Sequence, residues 1–232
     1  MTLKQNLKKL HKTGAGDLKT LSNLKFYPAL KYHFLTPFYD VIIKLLVPEK
    51  RIKTRAISFL KPLHEERVLD FGCGTGSLLE LLSQKDLKLQ LVGLDPDPAI
   101  LKIARTKIGD RAKFNQLYTR VLPFQNAAFE KVISSWVFHH LRDDDKLHYL
   151  RELRRVLTDG GTMIIADWGQ PSSRMQHLFC FVTRLFDNFE TFENQVNGRF
   201  PSLMEMAGFQ VTVLGEEKTI LGTLKYWQLC PR

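Results

Sequence analysis

Short apolar runs alternate with stretches of helical periodicity along the chain from residue 67 onward. Short apolar runs predict buried strands, and apolar residues three or four positions apart predict helices. The predicted strands lie at 67–71, 89–94, 112–117, 131–137, 162–168, 209–214 and about 219–229, and the predicted helices at about 76–84, 97–107, 143–157, 173–187 and 201–207. Alternation at this spacing favours an α/β fold, a mainly parallel sheet with helices on both faces.

The start of the chain differs from the rest and predicts a separate helical cap. Residues 26–50 are rich in aromatic side chains, and amphipathic periodicity predicts helices there and over 51–60. These aromatic residues either pack the helices on the core or line a substrate opening, and the sequence leaves both open. We therefore expect a cap or substrate region at 1–60 and a larger domain at 61–232, with a helical insert at 171–208.

Composition narrows the class of protein only slightly. With 232 residues, 44% of them hydrophobic, the chain is long enough for one domain with a sizeable core. Its net charge of +10 favours an anionic partner such as a membrane surface, nucleic acid or an acidic metabolite. Three cysteines without C-x-x-C spacing argue for a reducing compartment and against zinc, so we expect a cytoplasmic protein without a metal.

The sequence gives little evidence for attachment to a membrane. No apolar run is long enough to span a bilayer, and the lysine-rich start lacks the apolar segment of a signal peptide. Leu3, Leu7 and Leu10 predict one apolar helical face among lysines, which fits either a solvated terminus or a helix lying on anionic lipid. Because Gly14 and Gly16 interrupt this pattern, we favour the solvated terminus and leave peripheral membrane contact open.

Three glycines at alternate positions follow the first predicted strand, at Gly72, Gly74 and Gly76. Glycine lacks a Cβ, so the backbone of this glycine loop, Gly72–Gly76, can bend sharply and a ligand can lie against it. The helix predicted next presents N–H groups that suit a negatively charged ligand group. A tight turn without a ligand is the alternative. The dinucleotide fingerprint G-x-G-x-x-G fails at Ser77, so we favour a loop for another ligand.

Asp95 ends the second predicted strand at the head of the run Asp95–Pro98. In nucleotide-binding α/β folds, an acidic residue about 20 positions beyond the glycine loop accepts hydrogen bonds from ribose hydroxyls. A carboxylate suits this role because it accepts two hydrogen bonds in one plane. The alternative is a helix N-cap, which Asp97 would serve equally well. We favour ribose binding by Asp95.

Four segments of the chain resemble the motifs of one enzyme family. They lie at 68–76, at 92–95, at 122–124 with 129–135, and at 151–157 with 160–161. Over about residues 65–168 the chain resembles class I S-adenosylmethionine-dependent methyltransferases, closest to the branch that holds the ubiquinone and menaquinone C-methyltransferases. The resemblance implies a Rossmann-like seven-stranded sheet with N-terminal cap helices and S-adenosylmethionine as cofactor. The cofactor contacts expected are Asp70, Gly72, Cys73, Gly74, Gly76, Asp95, Pro96, Tyr118 and Ser135.

Tyr118 departs from the family pattern. This branch usually carries Gly-Asp-Ala before the Leu-Pro-Phe run, and its aspartate meets the adenine amino group; here the aligned run is Leu117-Tyr118-Thr119. Tyr118 is no carboxylate at neutral pH, but its hydroxyl could accept one hydrogen bond or its ring could stack on adenine. Gln116 is a further candidate for the missing acceptor.

The fourth predicted strand leads into paired histidines, His139 and His140, with Ser135 just before them. Each histidine is either a hydrogen-bonded structural residue at the start of a helix or a general base. We favour the structural role for His139 and name His140 as the candidate base. Asp167, at the end of the fifth predicted strand, is a second candidate, as base or orienting acceptor, unless it only starts a turn.

Three functions compete at this stage. The motif set, the aromatic N-terminal segment and the apolar insert favour methyl transfer to a small apolar acceptor that is quinone-, lipid- or phenol-like. The positive charge favours an RNA or protein methyltransferase, but lysine and arginine are scattered and the N/D-P-P-Y motif of amine methylation is absent, so we disfavour nucleic acid. Tyr118 leaves room for a cofactor-binding protein without catalytic activity. The sequence does not identify the oligomeric state.

Overall fold

A computed structural model of the chain describes residues 48–170, 176, 197–219 and 222–232. Most of the predicted cap at 1–60 lies outside the described residues, as does nearly all of the predicted insert helix at 173–187. Of the cap, the structure describes a helix ending at Leu60.

The described residues form a seven-stranded sheet with five described α-helices. In chain order the elements are α1 (Glu49–Leu60), β1 (Arg67–Phe71), α2 (Ser77–Ser83), β2 (Gln90–Asp95), α3 (Pro98–Ile108), β3 (Lys113–Gln116), β4 (Phe129–Ser135), α4 (Asp143–Val156), β5 (Leu157–Trp168), α5 (Phe200–Met206), β6 (Phe209–Lys218) and β7 (Thr223–Pro231). The strand order is β3-β2-β1-β4-β5-β7-β6. Strand β7 runs antiparallel to the other six strands, which all run in one direction. The predicted α/β class and seven-stranded sheet are confirmed.

Helices cover both faces of the sheet, as the apolar pattern predicts. The side chains of α1, α2 and α3 form one buried cluster with the sheet, and those of α4 and α5 form a second cluster on the opposite face. The chain runs outward from β1 to β3 and then returns to β4 on the other side of β1. At such a switch point the loops after β1 and β4 diverge and leave a crevice at the carboxyl edge of the sheet.

Strand β4 ends two residues earlier than the sequence predicts. The predicted strand continues to Val137, but the structure ends it at Ser135, because Trp136 takes a left-handed backbone conformation with φ +57°. A non-glycine residue in this region is strained, and such strain is concentrated at functional sites. The turn at Trp136 brings the following residues across the end of the neighbouring strand β5.

Strands β5 and β6 are longer than predicted. Strand β5 begins at Leu157, where it pairs with Phe129 across an irregularity in the ladder, and local sequence gives little sign of such a pairing. Strand β6 continues to Lys218, whose partner on β7 is Thr223. Both extensions depend on partner strands distant in sequence, so hydrophobic periodicity alone did not reveal them.

Helix α1 is fixed to the last two strands by a largely buried ion pair. Arg55 Nη1 lies 3.1 Å from the carboxylate of Glu217, which is 7% exposed, and the guanidinium lies 5.3 Å from the ring centre of Tyr226. Lys53, two positions before Arg55 on the same helix, lies close enough to Asp70 on β1 for its charge to act on that carboxyl group. Among the described residues, no helix is long and apolar enough to cross a membrane.

Candidate functional site

The glycine loop requires glycine at each of its three alternate positions. Gly72, Gly74 and Gly76 all have positive φ, between +52° and +75°, a region that other residues enter at a cost. A Cβ on Gly72 would lie 2.2 Å from a methyl group of Val137, and one on Gly76 would lie 2.6 Å from Ile108. A Cβ on Gly74 would meet nothing within 4 Å, so this glycine faces open space. The loop is therefore packed on two sides and bare on the third.

Asp95 joins the glycine loop to the loop after β2. Its Oδ2 accepts a hydrogen bond from the Gly74 amide at 3.0 Å, and its Oδ1 accepts one from the Asp97 amide at 2.9 Å. Burial raises the pKa of Asp95, and the two amide donors counter part of that rise. Asp97 caps α3 by accepting from Ala99, so the capping role belongs to Asp97. Each Asp95 oxygen keeps a lone pair for another donor.

Three buried polar atoms near the ends of β1 and β4 have no hydrogen-bond partner among the residues that the structure describes. They are Oδ2 of Asp70, Oγ of Ser135 and Nε1 of Trp136. Asp70 pairs in register with Ile133, two residues before Ser135, so the side chains of Asp70 and Ser135 lie on the same face of the sheet. Unpaired buried polar atoms are costly in a folded protein, and a ligand with its own donors and acceptors would satisfy them. The residues present therefore fit a polar cofactor.

The carboxyl group of Asp70 is 2% exposed, and its burial raises its pKa to about 7, although the charge of Lys53 on α1 opposes the rise. In the unfolded chain this carboxyl group ionises near its ordinary value of 3.8. The native state therefore holds its proton at pH values where the unfolded state has lost it. The stability contributed by Asp70 is full below about pH 4 and is lost as the pH rises through about 7.

We expect Asp70→Asn to stabilise the cofactor-free protein at pH 8 and to change its stability much less at pH 4. The amide removes the cost of a buried charge, which amounts to at most about 4 kcal/mol for a shift of this size. Thermal unfolding of wild type and variant across this pH range measures the difference. A variant that gains equally at both pH values would show that Asp70 does not titrate in this range.

The structure also describes the surroundings of two further predicted contacts, Cys73 and Pro96. The Cys73 thiol is buried against the sheet, where a Cβ on Gly93 would lie 2.8 Å from the sulfur. Burial and the negative charges of Asp70 and Asp95 raise the pKa of this thiol, so it stays protonated. The carbonyl of Pro96 accepts the amide of Gln116 at 2.9 Å. This contact uses the side-chain nitrogen of Gln116 as donor and leaves its carbonyl oxygen as an acceptor.

Tyr118 stands apart from these groups. It follows β3 at the carboxyl edge, and its side chain is 73% exposed, the largest exposed fraction among the exposed large hydrophobic residues of the described chain. The preceding residue, Leu117, is buried, and its amide donates to the Asp95 carbonyl at 3.0 Å. The backbone before Tyr118 is therefore held next to Asp95, while the Tyr118 ring remains accessible.

Asp167 and His139 form the closest polar pair at the end of β4 and β5. Nδ1 of His139 lies 2.7 Å from Oδ1 of Asp167, which is fully buried. Burial alone would raise the pKa of Asp167, but the charge and hydrogen bond of His139, with the Trp168 amide, hold it below its ordinary value. Asp167 is thus an ionised acceptor that orients His139, one of the two roles predicted for it.

The side chain of His140, the predicted base, makes no comparable contact with a carboxylate among the described residues. Its ring centre lies 3.8 Å from that of His139. The charge of His139 and partial burial lower the pKa of His140 to about 3, so it is neutral near pH 7. Sequence reasoning gave no sign of the strained turn at Trp136 or of the contact between His139 and Asp167, which lie 28 positions apart. It also gave no sign of the charge of Lys53 near Asp70. In the described part of the chain, no group of histidines, cysteines and carboxylates could hold a metal ion.

Comparisons with known proteins support the resemblance that the motifs predict. Residues 68–161 match the family model described as a methyltransferase domain. The demethylmenaquinone methyltransferase of Thermus thermophilus is 32% identical over 142 residues, which cover 59% of this chain and 64% of that protein. The ubiquinone/menaquinone biosynthesis C-methyltransferase UbiE of a Geobacter species is 27% identical over 146 residues, 60% of this chain and 61% of that protein.

Solved structures share the fold. The crystal structure of a SAM dependent methyltransferase from Aquifex aeolicus is 18% identical, with a TM-score of 0.59 over 82% of this chain and 97% of that one. At this identity the likeness shows the fold alone. The chain spans about three fifths of the length of the two curated relatives described above. The family resemblance and the fold predicted from the sequence are confirmed.

Proposed function

We propose that this chain, which carries a methyltransferase domain at residues 68–161, is an S-adenosylmethionine-dependent methyltransferase acting on a small apolar acceptor. The observation that carries the proposal is the contact between the glycine loop and Asp95, whose carboxylate holds the Gly74 amide and keeps lone pairs for another donor. An acidic residue at this point of an α/β sheet is suited to bind a ribose.

We assign roles in holding the cofactor to three of the predicted contacts. Asp95 would accept the ribose hydroxyls, Asp70 would accept the ammonium group, and the bare face of Gly74 would let the cofactor approach the backbone. When bound, S-adenosylmethionine supplies a methyl group on a positively charged sulfur. The chain then has to align the acceptor and exclude water, and such positioning can contribute as much as about 7–11 kcal/mol.

Tyr118 takes the place of the usual adenine-binding carboxylate in this proposal. Gln116 donates its side-chain amide nitrogen to Pro96 and keeps its carbonyl oxygen as an acceptor for the adenine amino group. The exposed Tyr118 ring is the second candidate to meet adenine, by stacking. This arrangement keeps a cofactor site without the family carboxylate. It therefore weighs against the alternative of a protein that has lost catalysis along with cofactor recognition.

The acceptor proposed is a quinone-like or phenol-like ring. Relatives named demethylmenaquinone methyltransferase support this choice, as does the apolar composition of the predicted insert. Many of the described basic side chains are paired with carboxylates, among them Arg55, Arg67 and Arg155. A nucleic-acid substrate therefore remains the second choice. The cytoplasmic location, the cap at 1–60 and membrane contact through the basic N-terminus stay predictions.

Transfer of labelled methyl groups tests the proposal. Purified protein is incubated with methyl-labelled S-adenosylmethionine and, separately, with reduced demethylmenaquinone, a lipid extract and bulk tRNA. We expect label in the quinol or the lipid fraction and none in tRNA. Label in tRNA alone would replace the proposal with the nucleic-acid alternative, and cofactor binding without any transfer would favour the non-catalytic one.

A further inference from the structure

Asp167 cannot itself reach an acceptor. It is fully buried, and its two oxygens accept five contacts from the protein. Oδ2 accepts the amides of Val137, Phe138 and His139 at 3.2, 2.8 and 3.4 Å, and Oδ1 lies 2.7 Å from both the Trp168 amide and the His139 ring. Its charge can act on a reaction only through a neighbouring group, and His139 is the neighbour whose side chain it holds.

The contact with Asp167 fixes the tautomer of His139. An ionised carboxylate only accepts hydrogen bonds, so Nδ1 of His139 is the donor in the 2.7 Å contact. In a neutral imidazole, Nε2 then carries the lone pair. The side chain of His139 is 12% exposed, so this nitrogen is confined but the ring retains some access from outside. This is the arrangement of a general base oriented by a buried carboxylate.

The titratable groups around His139 distinguish it from His140. The titratable groups around this imidazole are Asp167 on β5, His140 beside it, and Lys146 on α4, whose charge interacts with Asp167. The positive charge of a protonated His139, whose ring centre lies 3.8 Å away, and burial lower the pKa of His140 to about 3, so the two rings do not carry a proton together near pH 7. Of these groups only Asp167 stabilises an added positive charge, and it contacts His139 directly.

We propose that Nε2 of His139 is the base that takes a hydroxyl proton from the acceptor, and that Asp167 is its positioning residue. The inference rests on the proposed function and assigns its acceptor to the hydroquinones and phenols. An amine acceptor would need no such base. In this proposal His140, the base predicted from the sequence, only packs against the imidazole of His139.

The proton and electron balance of the step is simple. The O–H proton passes to Nε2, and the oxygen electron pair moves into the ring. A ring carbon forms the new bond to the methyl group as the methyl–sulfur bond breaks, with its electron pair remaining on sulfur. The proton on that ring carbon leaves to solvent, and the oxygen recovers its proton from Nε2. One proton is released per methyl group transferred, and no oxidant is needed.

His139→Asn separates catalysis from structure. The asparagine amide can replace Nδ1–H as donor to Asp167, but it has no group in the place of Nε2. We expect turnover with the labelled quinol to fall by about 10²–10⁴-fold, while affinity for S-adenosylhomocysteine and the melting temperature stay close to wild type. His64→Asn, at an exposed position in the loop before β1, is the matched control and should leave turnover unchanged.

A pH titration gives a second readout that needs no turnover. In histidine-labelled protein, the NMR titration midpoint of His139 should coincide with the acidic limb of the kcat/KM profile. Asp167→Asn should move both to lower pH, because it removes the charge that favours the imidazolium. If the pair of His139 and Asp167 were merely structural, Asp167→Asn would lower the amplitude of the kcat/KM profile without moving its acidic limb. If Asp167→Asn does not fold, His139→Asn and the wild-type titration still decide the assignment.

The outcomes separate the two proposals. Wild type that binds S-adenosylhomocysteine but transfers no label contradicts the proposed function. Transfer that survives His139→Asn, or a larger loss in His140→Asn than in His139→Asn, overturns the assignment of the base and leaves the methyltransferase proposal standing. A His139 midpoint away from the kinetic limb also overturns it.

Discussion

Asp95→Ala is expected to weaken binding of S-adenosylhomocysteine by tenfold to a hundredfold. The carboxylate holds the Gly74 and Asp97 amides and, in the proposed complex, the ribose hydroxyls. Hydrogen bonds to a charged group are worth about 1.5–3 kcal/mol, and about 1.4 kcal/mol corresponds to tenfold in affinity. Isothermal titration calorimetry measures the change directly.

Asp97→Ala is the matched control for Asp95→Ala. Asp97 caps α3 through the Ala99 amide, so its loss should cost about 1 kcal/mol of stability and change cofactor affinity little. If the two variants lost affinity equally, the effect would come from the shape of the loop after β2. Unchanged affinity in Asp95→Ala would remove this residue from the site.

Gly74→Ala should abolish most cofactor binding while leaving a folded protein. The new methyl group would contact no protein atom within 4 Å, so the cost to folding is limited to the left-handed backbone, about 1–2 kcal/mol. The same methyl group would occupy the space that the proposed cofactor needs against the backbone. Calorimetry and thermal unfolding on one sample separate the two effects.

Gly72→Ala, two residues away, should behave in the opposite manner. Its methyl group would lie 2.2 Å from Val137, so the cost of overpacking, about 1–3 kcal/mol, is added to that of the backbone. We expect Gly72→Ala to have the lower melting temperature of the two variants. Equal melting temperatures together with normal binding in Gly74→Ala would show that the bare face of the loop is not a ligand surface.

The site was predictable where its signal is local. Alternate glycines after a buried strand indicate a bent loop whatever the rest of the chain does, and Asp95 ends the next strand at the spacing that nucleotide-binding folds share. The apolar periods of strand and helix also gave the α/β class, because each is visible within a few residues. The structure brings Gly74 and Asp95 into contact as that pattern implies.

Pairings between distant segments were not predictable in this way. The choice between His139 and His140 depends on which ring reaches Asp167, and that is set by the turn at Trp136 and by the register of β4 on β5. The raised pKa of Asp70 likewise depends on burial under the fold. Sequence spacing carries neither kind of information, so it did not reveal that His139 is the ring that contacts Asp167.

A crystal structure of the chain with S-adenosylhomocysteine tests the central claim most directly. We expect the nucleoside in the crevice at the switch point, with its ribose hydroxyls about 3 Å from the Asp95 carboxylate and its amino acid end over Gly74 and Asp70. A crevice that stays empty at saturating ligand, or that is filled by side chains of the protein, would contradict the account.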